Sequence, residues 1–319
     1  MFLVSVSLAL ATAASPIRPV STYSIVARDP ANGQLGVAVQ SHWFSVGSLV
    51  PWAEAGVGAV ATQSFIDPSY GPLGLALLRI GRTPREALDA LLAGDPGRDV
   101  RQVGVVDARG RVATHTGRLC IPAAGGQEGK EFVVQANLME KATVWPAMAR
   151  AFESAQGDLA ERMLAALDAA EAEGGDIRGR QSAALLVVKA SPSGRPWADG
   201  VFDLRVEDHP QPLAELRRLV GVQRAYNHMS AGDDCVTAAD WACAEREYGL
   251  AQGMQPENAE MAFWYAVALA SNRRIEEAEP LFRKAFAADP RWRELVRRLP
   301  GVGQLPEDAQ LLQVILGIQ

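Results

Sequence analysis

The sequence predicts an α+β fold of two stacked sheets with a helix layer on each outer side, followed by an all-α region. Three observations predict it: the chain opens on buried strands, alternates runs of strands with helix pairs, and ends on a pattern that recurs every 34 residues. Helices in pairs do not fit a parallel sheet, which needs single crossover helices. With 319 residues, two domains are expected.

The opening stretch contains three apolar strands, predicted over residues 23–29, 35–41 and 56–64. Asn32 and Gly33 lie between the first two, and this dipeptide is a strong hairpin signal. The second and third strands do not alternate cleanly with polar residues. We therefore expect both faces of these strands to be covered.

The middle of the chain continues with helices and strands in groups. The start of a helix is predicted at Thr83, which has the residue type of an N-cap. Pro84 follows at the first helical position and Glu86 at the capping-box position. The predicted elements are helices 71–80 and 83–92, strands 101–107, 111–116 and 131–137, helices 143–154 and 159–173, strands 181–189 and 202–208, and a helix that begins near Pro212.

From about residue 222 the chain repeats itself. The recurring residues are Ala244, Tyr248, Ala251 and Pro256, followed 34 positions later by Ala278, Phe282, Ala285 and Pro290. Small contact residues, an aromatic residue and a terminal proline at this period are typical of tetratricopeptide repeats. The region is either a helical appendage that stabilises the first domain or a groove for a protein or peptide partner.

The first residues differ from the rest of the chain. Residues 2–14 carry no charge and include the small residues Ala11, Thr12 and Ala13, which predicts a signal peptide over 1–14 and a short leader over 15–21. The protein is then exported, to the periplasm or outside the cell. A misassigned start codon, which leaves the protein cytoplasmic, and an uncleaved anchor are the alternatives.

Net charge, hydropathy and cysteine content argue against several classes of function. A net charge of −6 disfavours nucleic-acid binding, and no later apolar run is long enough to span a bilayer. Cys120, Cys235 and Cys243 form no CxxC pair and no two histidines have ligand spacing, so neither a metal nor another cofactor is expected. Cys235 and Cys243 either bridge adjacent helices or remain two buried thiols, which is the interpretation we favour. A homo-oligomer is compatible with the sequence.

The chemistry is predicted from polar residues near strand ends, because the chain has neither a GxSxG elbow nor an HExxH motif. Buried hydroxyls and amides are costly unless hydrogen-bonded. Taken singly, each of these polar residues is explained by a hydrogen bond within the core. Taken together, their number near strand ends indicates a shared pocket. The residues are Thr22, Ser41, Gln63, Ser64, His115, Thr116, Gln135, Asn137, Gln181 and Ser182.

Seven segments also carry a family resemblance: TYSIVARDPANGQLGVAVQS, PWAEAGVGAVATQS, YGPLGLALL, RQVGVVDARGRVATHTG, VVQANLM, GRQSAALLVV and LRVEDHPQPLAELRRL. Together they resemble the uncharacterised bacterial family called domain of unknown function ten twenty-eight, which is grouped with the N-terminal nucleophile (Ntn) hydrolases. The resemblance implies a four-layer αββα Ntn-hydrolase-like sandwich over residues 22–220, followed by the repeat region over 221–319. It also implies hydrolysis of a small amide or peptide.

In the Ntn mechanism a hydroxyl residue at the mature N-terminus is the nucleophile, and its own α-amine, with a pKa near ~8, is the base. The resemblance thus implies catalytic roles for Thr22, for Asn137 as an oxyanion donor and for Ser41 beside the amine. The residues expected to bind substrate are Gln63, Ser64, His115, Gln135, Gln181 and Ser182, with the backbone at Gln63 and Ser64 also facing the oxyanion.

Two features of the sequence keep a second hypothesis open. The opening sheet contains no lysine, and Pro19 makes the bond before Thr22 a poor signal-peptidase site. The alternative is a non-catalytic binding or scaffold protein that uses the same pocket or the repeat groove for recognition.

Overall fold

The computed structural model describes residues 22–319, so the predicted signal peptide (1–14) and leader (15–21) lie outside the described residues. The chain divides into two compact units, Met1–Arg217 and Arg218–Gln319. Between residues 22 and 319, no helix has the length and apolar character needed to cross a membrane.

The first unit contains ten strands and four complete helices in its described part. In chain order they are β1 (Thr22–Arg28), β2 (Leu35–Ser41), β3 (Pro51–Glu54), β4 (Gly58–Ser64), α1 (Tyr70–Arg79), α2 (Pro84–Gly94), β5 (Arg101–Asp107), β6 (Val112–Thr116), β7 (Gly125–Gly129), β8 (Phe132–Ala136), α3 (Val144–Ser154), α4 (Leu159–Ala172), β9 (Ser182–Val188) and β10 (Gly200–Val206).

The strands form two antiparallel sheets that face each other. The larger sheet has the order β10-β9-β2-β1-β8-β7, and the smaller one has the order β3-β4-β5-β6. The α3 and α4 helices pack on the larger sheet, and α1 and α2 pack on the smaller one. The predicted mixed α+β class with two antiparallel sheets and a C-terminal helical region is confirmed.

The β1–β2 hairpin forms where its turn residues predict it. The backbone N–H of Gly33 donates to the Asp29 carbonyl at 2.8 Å, and the side chain of Asn32 accepts from the Gln34 N–H at 2.9 Å. Gly33 has a φ of 75°, a conformation that glycine adopts without a steric cost. The hairpin aligns Arg28 with Leu35 and, at its open end, Thr22 with Ser41.

Two strands differ from the sequence prediction. The stretch predicted as one strand over 56–64 is preceded by a separate strand, β3, which joins β4 through a tight turn with Gly56 at φ 73°. The strand β7 was not predicted, because its sequence GGQEG has no apolar residue. Its glycines allow close packing: a Cβ on Gly125 would lie 2.4 Å from the Trp145 ring, and one on Gly129 would lie 2.1 Å from Phe132.

The space between the sheets is apolar at one end and polar at the other. Alternate residues of β1 face the other sheet, and the side chain of Ser24 reaches Gln63 across the gap. Further along β1, Val26 joins Val37 and other small apolar residues of both sheets in a buried cluster. The polar end contains Thr22, and this end is the candidate site.

The second unit is helical. The α5 helix (Pro212–Thr237) begins before the boundary and continues into this unit, and it is followed by α6 (Trp241–Met254), α7 (Ala259–Ser271), α8 (Ile275–Ala288), α9 (Arg291–Arg298) and α10 (Ala309–Leu316). The recurring small and aromatic residues are buried. A Cβ on Gly232 would lie 2.6 Å from the ring of Tyr248, so this helix contact requires glycine.

Cys235 and Cys243 form a disulfide, so the expectation of two buried thiols is wrong. The turn between α5 and α6 brings their Cα atoms to 5.7 Å, which is within the range that a disulfide requires. Cys120 is a free, buried cysteine.

Candidate functional site

Strand register places two rows of polar side chains opposite each other at one end of the sandwich. In the larger sheet, Thr22 is paired with Ser41, and Ser41 with Ser182. In the smaller sheet, Gln63 is paired with Gln102, and Gln102 with Thr116. Side chains paired in this way point to the same face of their sheet. The two rows therefore reach into the same inter-sheet space.

Gln63 connects the two sheets. Its Nε2 donates to the Thr22 carbonyl at 3.1 Å and to Oε1 of Gln102 at 2.8 Å. Its Oε1 accepts a hydrogen bond of 2.7 Å from the hydroxyl of Ser24. All four residues are fully buried, so these bonds compensate the cost of placing amides in the core.

Asn137 holds the same carbonyl from the other side. Its backbone N–H donates to the Thr22 carbonyl at 3.1 Å, and its Nδ2 donates to that oxygen at 3.4 Å and to Oε1 of Gln102 at 2.9 Å. The Thr22 carbonyl thus accepts from three donors, counting Gln63. Oδ1 of Asn137 is buried and has no partner among residues 22–319.

Two members of this network were not among the residues that the sequence analysis singled out. Gln102 donates to Thr116 Oγ1 at 3.0 Å and to two backbone carbonyls. Ser24 accepts from Nε2 of Gln135 at 3.2 Å, and that amide also donates to the Ala61 carbonyl. Ser24 and Gln102 each lie one position inside the end of a predicted strand, 23–29 and 101–107. A search for any amide or hydroxyl within a buried strand would have found them.

The hydroxyl of Thr22 donates to the hydroxyl of Ser41 at 3.2 Å. Thr22 begins β1 and is fully buried. Thr22 does not line any of the four main cavities of the described part of the chain, which have volumes of about 160 to about 540 Å³. The hydroxyl is therefore closed to a substrate in this form of the chain.

Four of the predicted site residues lie apart from the amide network. Ser64 ends β4 with a left-handed backbone, φ 71°, and its buried hydroxyl is not bonded to the amide network within residues 22–319. His115 lies on the outer face of β6, with Nε2 2.8 Å from the Arg98 carbonyl. Gln181 precedes β9 and is hydrogen-bonded through its backbone. The hydroxyl of Ser182 donates to the carbonyl of Trp43 and so fixes the loop after β2.

The network is made of neutral groups, whereas ionisable groups lie behind it on the helix side of β1. There the phenol oxygen of Tyr23 lies within hydrogen-bond distance of the side-chain oxygens of Gln40 and Glu171, and Glu171 also pairs with Arg180. Burial, and then the charge of Glu171, raise the pKa of Tyr23 well above its usual value. Tyr23 therefore remains a protonated donor.

Across residues 22–319, no group of three histidine, cysteine or acidic side chains is arranged to hold a metal ion. The donors that surround Thr22 are amides and hydroxyls. Such groups can orient a carbonyl, an amine or a hydroxyl, but they cannot themselves act as a base at neutral pH.

Comparison with known proteins identifies a family and a similar solved structure. Residues 22–216 match the model of a family described as "Family of unknown function (DUF1028)". The chain is also similar to the crystal structure of protein SPO2555 from Silicibacter pomeroyi, which carries the same family designation. Sequence identity is 30% and the TM-score is 0.56, and the match covers 70% of this chain and 94% of that one. No curated protein matches the chain.

Proposed function

The chain belongs to the DUF1028 family of unknown function, and from this premise we propose that its first unit is an amidohydrolase of the Ntn type that acts on a small amide or peptide. The observation that carries the proposal is the position of Thr22. It begins a central strand, its hydroxyl contacts that of Ser41, and three donors hold its carbonyl. In the same proposal the layers are an Ntn-type αββα sandwich, and the helices of the second unit are tetratricopeptide repeats.

The mature enzyme forms when the peptide bond before Thr22 is hydrolysed by one water molecule, which leaves a carboxylate on the removed segment and a free α-amine on Thr22. The freed α-amine takes the hydroxyl proton while Oγ1 attacks the carbonyl carbon of the substrate amide. The resulting ammonium returns the proton to the leaving nitrogen, the C–N bond breaks, and an ester to Thr22 remains. Water, deprotonated by the amine, then hydrolyses the ester, which releases the carboxylic acid and restores the hydroxyl.

We assign Asn137 and Gln63 positioning roles in this reaction. Both hydrogens of Asn137 Nδ2 are engaged, one by the Thr22 carbonyl and one by Gln102. Gln63 Nε2 is engaged in the same way. These amides fix the backbone of the first mature residue, so its amine and hydroxyl keep one relative orientation, which is the entropic part of catalysis.

Export belongs to the same proposal. The disulfide between Cys235 and Cys243 supports it, because disulfides persist mainly in oxidising compartments. The uncharged residues 2–14 supply the sequence argument.

The test is to determine the N-terminal sequence of protein purified from its native host and to screen that protein against a library of small amides and peptides. We expect a chain that begins at Thr22 and hydrolyses at least one amide. Thr22→Ser should retain hydrolysis, and Thr22→Ala should fold but lose it. A folded Thr22→Ala protein with full activity, or activity in a chain that still carries residues before Thr22, overturns the mechanism.

A binding or scaffold function is the second candidate. It is favoured by the complete burial of Thr22 and by the position of a cavity of about 540 Å³, which lies wholly in the second unit. In that case Thr22→Ala changes stability only, and no amide is hydrolysed by the native chain.

A further inference from the structure

A cavity of about 540 Å³ lies among α5, α6 and α7 of the second unit, a volume typical of small-molecule sites. The lining residues that matter here are Tyr226, Asp233, Tyr248, Glu260 and Trp264. We propose that this cavity binds a small organic cation, namely an ammonium or guanidinium group carried on an apolar body.

The charge of the cavity is the first argument. Asp233 and Glu260 both line it, and no lysine, arginine or histidine is among its lining residues. Within residues 22–319, neither carboxylate forms an ion pair with a basic side chain. Two negative charges that share a partly enclosed space attract a cation more strongly than they do in open water.

Several other acids of this unit are neutralised by arginines close to them in the sequence. Glu277 pairs with Arg274, Glu294 with Arg298, and Asp289 with Arg291. Asp233 and Glu260 have no such arginine partner among residues 22–319, so their negative charge is available to a ligand of the cavity.

Tyrosines hold the two carboxylates in place. The phenol of Tyr248 donates to Oδ1 of Asp233 at 2.7 Å, and that of Tyr226 donates to Oε2 of Glu260 at 2.6 Å. Both bonds leave lone pairs of the carboxylate available. The acids are therefore oriented in advance for a charged donor, and this lowers the entropic cost of binding.

The remaining wall suits the body of such a ligand. Trp264 and the two tyrosines offer aromatic rings, to which a cation is attracted through the ring face. Met229, Met261 and Val267 also line the cavity, and these apolar side chains favour a hydrocarbon part over a fully hydrated ion such as sodium.

Calorimetric titration of the full chain tests this with benzylammonium, which is charged, and benzyl alcohol, which is neutral and nearly the same shape. We expect the ammonium to bind at least about tenfold more tightly, since a hydrogen bond to a charged group is stronger than a neutral one. Raising the salt concentration should weaken binding of the ammonium and leave the alcohol unchanged. Equal affinities for benzylammonium and benzyl alcohol, or no binding of benzylammonium, overturn the proposal. This outcome is read from the unmutated chain alone.

Variants locate the site. Asp233→Asn and Glu260→Gln each remove one cavity charge with little change of shape, and each should weaken benzylammonium binding by about tenfold. Asp234→Asn is the matched control, because Asp234 is exposed like its neighbour Asp233 but does not line the cavity. If the control weakens binding as much as Asp233→Asn does, the effect is general surface charge and the site is wrong.

A last comparison distinguishes a free small molecule from a lysine side chain of a peptide as the source of the cation. The capped peptide Ala-Ala-Lys-Ala-Ala presents the same ammonium on a protein side chain, and Ala-Ala-Gln-Ala-Ala is its neutral counterpart. Tighter binding of free benzylammonium than of the lysine peptide supports a small-molecule ligand. The reverse order overturns that part of the proposal and identifies a basic peptide as the ligand.

Discussion

The hydroxyl of Thr22 lies 3.2 Å from the hydroxyl of Ser41, and the two residues are register partners on neighbouring strands. This contact is made by the first residue of β1 and the last residue of β2. It therefore depends on the hairpin at the other end of both strands, whose turn fixes the register over seven residues of each strand.

Ser41→Ala is expected to lower the free energy of unfolding by about 1 kcal/mol, because Thr22 loses a buried hydrogen-bond partner. If Thr22 is the nucleophile, kcat of the mature enzyme also falls while KM changes little. Denaturant unfolding and steady-state kinetics measure the two effects. Ser69→Ala, at an exposed position, is the control and should change neither. An unchanged kcat in Ser41→Ala argues against a role for Ser41 beside the amine.

Gln102→Leu is expected to destabilise the first unit by about 3 kcal/mol. The substitution removes the acceptor of Gln63 and Asn137 and the donor to Thr116, and buried groups without partners carry the full desolvation cost. Chemical denaturation of the variant measures this loss. Gln127→Leu, on the exposed face of the edge strand β7, should change stability by less than about 0.5 kcal/mol. Equal effects of the two variants would contradict the network as described.

Asp95→Asn tests the pH dependence of stability. Arg101 and the backbone of Gly97 hold the pKa of Asp95 below its ordinary value, against a smaller opposing effect of burial. Because the pKa of Asp95 is lower in the native state than in the unfolded chain, its ionised carboxylate stabilises the native state above about pH 4. This stabilisation is lost as the pH falls through the pKa that Asp95 has in the native state.

We therefore expect Asp95→Asn to be less stable than the native chain at pH 7 by about 2 kcal/mol, with the difference shrinking in acid. Thermal unfolding between pH 7 and pH 3 measures it. Asp99→Asn, which breaks the more exposed pair with Arg118, should have little effect at either pH. A difference for Asp95→Asn that is independent of pH would show that the ion pair with Arg101 is not its cause.

Reduction of the disulfide between Cys235 and Cys243 is expected to destabilise the junction of α5 and α6. A loop this short contributes about 2.5 kcal/mol in the chain-entropy model. Hydrogen exchange of the α6 amides, with and without reductant, detects the change locally. The double variant Cys235→Ser/Cys243→Ser should exchange fast in both conditions. If reductant does not accelerate exchange in the native chain, the bridge does not stabilise this junction.

Much of the fold could be predicted because its signals are local. The hairpin follows from Asn32 and Gly33, and the start of α2 follows from Thr83 and Glu86, which form the predicted capping box. The strand β7 could not be predicted, because it has no apolar residue and its Gly125 packs against the ring of Trp145, which comes from a later helix.

The candidate site was predictable as a set of residue types but not as an arrangement. Gln63 and Ser64 are adjacent in the sequence and both looked like pocket residues. Gln63 faces the other sheet and enters the network. The left-handed backbone of Ser64 ends the regular alternation of β4, and its hydroxyl is not bonded to the network within residues 22–319. Gln102 was missed although it bonds to both Gln63 and Asn137.

The sequence by itself determined most of the strands and helices, the hairpin turn and the recurring contact residues of the second unit, because periodicity, capping and turn chemistry act between near neighbours. Only the tertiary structure decided which face of each strand meets the opposite sheet, which amides hold the Thr22 carbonyl, and that Cys235 bonds to Cys243. These outcomes depend on packing between segments far apart in the chain or across a turn, and local patterns do not specify that packing.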